Sequence, residues 1–196
     1  MDNMKIRLKV YGCRGSVPVE GEEFKVYGGA TSCMCLICEG MDEGKVSKEE
    51  IYLDAGSGIV SAKAEEDSNI SILITHMHLD HVMGLTFFPA LSQKGRKIDI
   101  YAEKRSGLEV GEAIDRLFTP PYWPLKVTDY PSNARYHKLE KSFSLGQVEV
   151  DTLEVNHPGG STTYKLSFGG KTIVYATDYE HDDNKTEELF KYLLIV

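Results

Sequence analysis

Residue types that bind metals are concentrated in one short segment of the chain. His76, His78, Asp80 and His81 directly follow the apolar run 70–74. Zinc and similar cations bind neutral imidazole nitrogen and carboxylate oxygen, and a loop that leaves a buried strand can direct such groups to one point. The spacing differs from a helical His-Glu-x-x-His site, whose histidines lie one turn apart. We therefore predict a metal site on a loop, with a solvated histidine-rich turn as the alternative.

Three more polar residues occur where an apolar run ends. Asp54, His157 and Asp178 each follow a segment rich in Ile, Leu, Val or Tyr. Ligands collect at the carboxyl ends of strands in open α/β architectures, so these residues and the histidine loop are expected to converge. A single polar residue at a strand end is more often structural. The inference therefore depends on four such ends occurring in one chain.

The hydrophobic pattern predicts strands interspersed with helices. A first strand is expected over 5–10, where apolar and basic residues alternate. Further strands are expected at 32–39, 51–53, 70–74, 98–101, 148–155, 163–168 and 172–176, the last two joined by a tight turn at Gly169 and Gly170. Helices are expected near 85–91 and 108–118 and from about 185, with a surface loop at 40–50 and an irregular segment at 119–124.

Size, charge and composition limit the class of protein. A chain of 196 residues, 41% of them hydrophobic and 27% charged, suits one globular domain over 1–196. A net charge of −8 disfavours long nucleic acids as partners, whereas bound cations would still allow a small anionic substrate. No apolar run is long enough to cross a membrane, and the first residues lack the apolar core of a secretion signal. We expect a cytoplasmic protein with no membrane partner.

The four cysteines suggest either a metal or redox site or simple packing. Cys13, Cys33, Cys35 and Cys38 would not form disulfides in a reducing cytosol. In a strand, Cys33 and Cys35 point to one face and Cys38 to the other, which prevents the three sulfurs from converging. We expect the three thiols to pack as small hydrophobic side chains.

Several motifs together resemble the metallo-β-lactamase superfamily, in the same order along the chain. These motifs are Leu-Asp-Ala-Gly-Ser-Gly at 53–58, Thr-His-Met-His-Leu-Asp-His at 75–81, Asn-His-Pro at 156–158 and Thr-Asp at 177–178. The glycine-containing segments 11–16 and 28–32 are similar to the opening loops of its phosphodiesterase-like branch. The resemblance implies an αββα sandwich, an α+β or α/β fold, with a binuclear metal centre.

The resemblance also implies a role for each matched residue. Asp80 and Asp54 are the candidate catalytic residues, and Asp54 would hold a ligand imidazole in place. Zinc is the expected metal, as one or two ions, with manganese also acceptable. The implied ligands are His76, His78 and His157 for the first metal, Asp80 and His81 for the second, and Asp178 as a bridge between them.

A binuclear centre of this kind implies hydrolysis. Metal binding lowers the pKa of water toward about 7, and two cations can stabilise the attacking and leaving oxygens together. The predicted function is a metal-dependent phosphodiesterase that acts on a small nucleotide or cyclic phosphate through a metal-activated hydroxide. The alternatives are a thioester, lactone or amide hydrolase of the same fold, and a non-catalytic metal-binding fragment. Asp178 favours the first, because the β-lactamase branch carries cysteine there.

The C-terminal part of the chain departs from the family pattern. Members have a last ligand histidine that no residue here matches, since His181 lies too close to Asp178. We therefore expect a C-terminally truncated sandwich with a weaker second metal site. The strand at 172–176, or whichever strand forms the edge, would be exposed. A homo-oligomer is expected through that edge and the apolar end 193–196.

Two further residues are candidate substrate-binding residues. Arg14, in the glycine-containing opening loop, can pair with a phosphate or form a salt bridge to a nearby acid. Trp123, next to Tyr122, can stack on a nucleobase or pack beneath the irregular loop. The sequence leaves both alternatives open for each residue.

Overall fold

The computed structural model describes residues 4–42 and 44–194. Two sheets and three α-helices form the fold of this part of the chain. The helices are α1 (Leu79–Val82), α2 (Val110–Leu117) and α3 (Asp183–Leu194). The strands are β1 (Lys5–Gly12), β2 (Cys33–Asp42), β3 (Lys45–Leu53), β4 (Asn69–Leu73), β5 (Lys97–Ala102), β6 (Asn133–Lys138), β7 (Ser142–Leu145), β8 (Val148–Val155), β9 (Ser161–Phe168) and β10 (Lys171–Tyr175).

Strand direction brings the ends of several strands to one edge of the larger sheet. That sheet has the order β1-β2-β3-β4-β5-β6, and β3, β4, β5 and β6 are parallel neighbours. The smaller sheet has the order β10-β9-β8-β7 and is antiparallel throughout. Because parallel strands end at the same edge, the loops after β3, β4 and β5 are neighbours.

The two sheets pack face to face around an apolar core. Leu36, Leu53 and Leu73 of the larger sheet belong to one buried cluster with Tyr164 and Leu166 of the smaller sheet. A second cluster covers the other face of the larger sheet and includes Val110 and Ile114 of α2. On the smaller sheet, α3 contacts β8, where the Tyr192 hydroxyl donates to the Asp151 carbonyl at 2.6 Å. The layers follow the predicted αββα order.

Three predictions of secondary structure are wrong. The segment 40–50 is not a loop, because β2 and β3 continue through most of it as a long antiparallel pair. The segment 85–91 forms two 3₁₀ turns, Leu85–Phe87 and Pro89–Ser92, because Pro89 cannot donate the hydrogen bond that an α-helix requires. β6 and β7 were not predicted, since their polar residues give no clear alternation.

The cysteines and the last hairpin follow the sequence predictions. Cys33 and Cys35 are buried in the cluster on one face of the larger sheet, and Cys38 is buried in the cluster on the other face. Burial raises the pKa of the Cys38 thiol to about 12, with a further contribution from the charge of Glu49. Gly169 and Gly170 both have positive φ, at 58° and 71°, as a tight hairpin turn requires.

The outer strands and the C-terminal helix bear on the predicted self-association. β10 is an edge strand of the smaller sheet, and Leu194 at the end of α3 is 80% exposed. Ile195 and Val196 lie outside the described residues. Self-association remains a prediction. Within the described part of the chain, no helix has both the length and the apolar character needed to cross a bilayer.

Candidate metal centre

Four strand ends, two from each sheet, deliver the candidate metal ligands. β3 is followed by Asp54 and β4 by the histidine loop, while β8 precedes His157 and β10 precedes Asp178. Both sheets of the sandwich therefore contribute ligands to one candidate site. This arrangement explains why residues more than 100 positions apart in sequence lie together.

Two groups of three residues have the geometry of metal sites. In each group, the candidate ligand atoms lie within 4.8 Å of one another. The three-histidine triad is His76, His78 and His157, and the aspartate triad is His76, His81 and Asp178. Nε2 of His157 lies 3.1 Å from Nδ1 of His78, and Nε2 of His81 lies 2.6 Å from Oδ2 of Asp178. The shared His76 makes the two triads adjacent.

His76 has the properties of a metal ligand. The side chain is buried, and its Nε2 atom has no hydrogen-bond partner in the described part of the chain. The hydroxyl of Thr75 lies 3.0 Å from the other ring nitrogen, Nδ1. Burial, reinforced by the neighbouring histidines and Arg105, lowers the pKa of His76 to about 3. The imidazole is therefore neutral at pH 7 with a nitrogen available to a cation, so the residues fit a divalent metal.

Asp54 is the centre of a buried hydrogen-bond network beneath the aspartate triad. Its carboxylate lies 2.8 Å from Nδ1 of His81 and accepts hydrogen bonds from the Thr75 backbone N–H at 2.7 Å and the Tyr175 hydroxyl at 3.0 Å. The Thr75 hydroxyl is 3.0 Å from both carboxylate oxygens. This is the contact expected of a residue that orients a ligand imidazole.

The carboxylates around His81 control its proton. Burial by itself lowers the pKa of His81, but the hydrogen bond to Asp54 and the charges of Asp54, Asp178 and Asp80 raise it above the usual value. With Nδ1 directed at Asp54, Nε2 faces Asp178. A cation at the aspartate triad would take the place of the proton on Nε2.

Asp80 borders the site but belongs to neither triad. Its Oδ2 accepts a hydrogen bond from the Ser16 backbone N–H at 2.7 Å and lies 3.6 Å from Nε2 of His81. This hydrogen bond attaches the opening loop, residues 11–16, to the histidine loop, residues 76–81. The predicted role of Asp80 as a second-metal ligand remains a prediction.

Backbone strain is concentrated around the site. Ser16, Asp54, Ser106 and Asp178 are the non-glycine residues with positive φ among those described, at 67°, 62°, 51° and 50°. Ser16, Asp54 and Asp178 make the contacts described above. Ser106 lines the cleft beside His76. Left-handed conformations of this kind are retained where the surrounding structure fixes them, and they cluster at functional sites.

The glycine turn after β3 packs directly on the histidine loop. A Cβ atom at Gly56 would lie 2.3 Å from the carbonyl oxygen of Asp80, so no larger residue fits. The backbone N–H of Ala55 donates to the carbonyl of His81 at 2.7 Å. The turn therefore fixes the loop from which the ligands project.

The two predicted substrate-binding residues are held by contacts of their own. Nε of Arg14 donates to the Val17 carbonyl at 3.0 Å, and its guanidinium lies 5.1 Å from the Phe24 ring centroid. Trp123 donates from Nε1 to the Tyr130 hydroxyl at 3.3 Å, and its ring centroid lies 4.8 Å from that of Phe87. These contacts favour the packing alternative for Trp123.

Four residues that contact the site had no assigned role in the sequence analysis. Thr75 and Tyr175 donate hydrogen bonds to Asp54, and the Ser16 backbone N–H donates one to Asp80. Arg105 lies in the cleft beside His76. Thr75 could have been found from its place between a buried strand and the histidines. The other three depend on packing between elements that are distant in sequence.

Comparison with known proteins identifies the family. A family model described as a beta-lactamase superfamily domain matches residues 50–195, more than half of the chain. The chain belongs to the beta-lactamase superfamily. No curated protein matches this superfamily member at a significant level.

Solved structures show that this superfamily member has the metallo-β-lactamase fold. The metallo-beta-lactamase fold protein YhfI from Bacillus subtilis is 18% identical with a TM-score of 0.61, over 91% of this chain and 64% of that chain. Yeast PDE1 is 15% identical with a TM-score of 0.59, over 96% and 70%. The short form of human tRNase Z is 17% identical with a TM-score of 0.52, over 94% and 72%. The superfamily member thus spans about 64% of the length of YhfI.

Proposed function

We propose that the chain is a metal-dependent phosphodiesterase that acts on a small nucleotide or cyclic phosphate. The observation that carries the proposal is the pair of adjacent triads that share the buried, neutral His76. Because only Nε2 of His76 is free, a cation in the three-histidine triad would leave His81 and Asp178 for a second cation. Two cations would suit a phosphodiester, whose attacking and leaving oxygens both need stabilisation. The family supports hydrolysis in general, and yeast PDE1 and human tRNase Z are among the solved structures with a similar fold.

Zinc is the metal that best matches the donor set. The three-histidine triad offers imidazole nitrogens, and the aspartate triad adds a carboxylate oxygen, both of which zinc prefers. Manganese is the second candidate, because carboxylate oxygen suits it. Three imidazoles suit it less well than they suit zinc. When bound, the metal supplies a Lewis acid and lowers the pKa of water for attack on phosphorus.

The protein's own residues position the ligands and move protons. Asp54 holds Nδ1 of His81 so that Nε2 is directed at the aspartate triad. Thr75 fixes His76 through Nδ1, leaving Nε2 for the cation. We assign proton acceptance from the attacking water to the carboxylate of Asp80, which the Ser16 amide holds at the border of the site.

Hydrolysis by the zinc-loaded chain tests the proposal. We expect turnover of bis(p-nitrophenyl) phosphate that stops with a chelator and returns with zinc. His78→Ala should reduce kcat/KM by at least about 100-fold, because it removes a direct ligand. His181→Ala is the control, since His181 is exposed and its Nδ1 lies 3.0 Å from the Thr186 hydroxyl.

Three outcomes would contradict the proposal. Turnover of p-nitrophenyl acetate without turnover of the phosphodiester would favour the carboxylic ester and amide class of the fold. Zinc binding without any hydrolysis would favour a metal-binding fragment. Equal activity of His78→Ala and the wild type would remove the three-histidine triad from the reaction.

A further inference from the structure

Arg105 places a positive charge in the cleft beside the metal triads. The residue follows β5, the strand next to the one that carries the histidine loop. A cleft of about 150 Å³ is lined by His76 and His78 together with Arg105, Ser106 and the turn at 158–160. Arg105 therefore borders the same space as two of the candidate metal ligands.

The guanidinium of Arg105 is fixed in place by the turn that follows His157 and by the start of β9. Nη2 donates to the Thr162 hydroxyl at 2.9 Å, and Nη1 donates to the Gly159 carbonyl at 3.5 Å. The guanidinium packs directly on the backbone of Gly160, where a Cβ atom would lie 2.0 Å from Nη1 and where φ is 80°. A fixed guanidinium loses little conformational freedom when it binds a ligand.

The charge of Arg105 is only weakly compensated by the protein. The carboxylate of Glu154 lies 3.8 Å from Nη1, is 56% exposed, and is shared with Lys185 at 3.0 Å. The Nε atom of Arg105 is buried and has no hydrogen-bond partner among the residues described. The side chain is nevertheless only 12% exposed. A partly buried cation with an incomplete set of acceptors is suited to an anion.

We propose that Arg105 binds a non-bridging phosphate oxygen of the substrate in the cleft beside His76 and His78. This inference rests on the proposed phosphodiesterase function and assigns the residue that recognises the anionic group. Arg105 would add to the affinity for phosphate that bound cations supply, in a chain whose net charge of −8 opposes anion binding. Substrates without a negative charge would gain less from it, because a hydrogen bond between charged groups is the stronger one.

Binding of inorganic phosphate to the zinc-loaded chain tests this role without requiring hydrolysis. Arg105→Gln keeps an N–H donor for the turn but removes the charge, and Arg105→Lys keeps the charge but not the fork. Titration calorimetry should show phosphate affinity reduced by about 10- to 100-fold in Arg105→Gln, and by less in Arg105→Lys. The matched control is Arg116→Gln, since Arg116 is exposed on α2. It should bind phosphate as the wild type does.

Zinc affinity separates substrate binding from a merely structural role. We expect the zinc affinity of Arg105→Gln to equal that of the wild type, and its KM for bis(p-nitrophenyl) phosphate to rise more than its kcat falls. Unchanged phosphate affinity in Arg105→Gln, a parallel loss of zinc and phosphate affinity, or no phosphate binding to the wild type would overturn the inference. Phosphate binding that depends on Arg105 in a chain that hydrolyses no phosphodiester would support the anion site and contradict the proposed function alone.

Discussion

Asp54→Asn tests how the buried network controls the aspartate triad. Asparagine has nearly the same shape and tolerates the left-handed backbone that Asp54 adopts at φ 62°. The Thr75 backbone N–H requires an oxygen acceptor, so the new amide oxygen should take the position of Oδ1. The amide NH₂ group would then face Nδ1 of His81 and the Tyr175 hydroxyl, both of which are near Oδ2.

The expected result is a change of tautomer at His81. Its Nδ1 would become an acceptor, which places the proton on Nε2, the atom that lies 2.6 Å from Asp178. Zinc affinity at the aspartate triad should therefore fall by about 10- to 100-fold. The three-histidine triad should retain its affinity. The free energy of unfolding should decrease by about 1–3 kcal/mol, because a charged acceptor of several buried donors is replaced by a neutral one.

Competition with a chromophoric chelator measures the two zinc affinities, and ¹⁵N NMR of the histidine rings reports the tautomer. Asp67→Asn is the matched control, since Asp67 is exposed and belongs to neither triad. The reasoning would be refuted if Asp54→Asn bound both zinc ions as the wild type does. Equal weakening of both sites would also refute it, because it would indicate general disruption.

Three further predictions follow from the same structure. Asp178→Ala should lower kcat/KM on a phosphodiester more than His81→Ala, because a bridging carboxylate would serve both metals; equal losses would argue against the bridge. In the native chain, one thiol, that of exposed Cys13, should react rapidly with Ellman's reagent and the three buried thiols only on unfolding; rapid reaction of all four would contradict the burial. The hydrogen bond and charge of Lys48, assisted by Arg7, lower the pKa of Glu65 below its ordinary 4.5, so Glu65→Gln should lower Tm slightly at pH 7, and the difference should vanish as pH falls through the lowered pKa; a difference that persists at pH 2 would contradict this.

The candidate ligands could be predicted from the sequence because their signals are local. His76, His78 and His81 follow a buried strand within a few residues, and Asp54 and Asp178 each end an apolar run. The αββα order followed from the resemblance and is confirmed by the family and the fold. The alternation of side chains along a strand also correctly predicted that Cys33 and Cys38 lie on opposite faces of the larger sheet.

The supporting residues could not be predicted, because their roles arise from packing between distant segments. Tyr175 reaches Asp54 across 121 positions of sequence, since β10 belongs to the opposite sheet. Arg105 acquires its place only when the turn at 158–160 packs against it. The loop expected at 40–50 failed for a related reason: its polar residues pair in register between β2 and β3, and buried Glu50 at its end is satisfied by the Tyr52 hydroxyl and the Glu65 amide.

Anomalous diffraction at the zinc edge from a crystal of the zinc-loaded chain tests the central claim most directly. The account predicts a strong peak within about 2.0–2.3 Å of nitrogen atoms of His76, His78 and His157. A second and weaker peak is expected about 3.5–4 Å away, beside His81 and Asp178. A crystal grown with excess zinc that showed no anomalous density between these residues would contradict the assignment of a metal centre to this site.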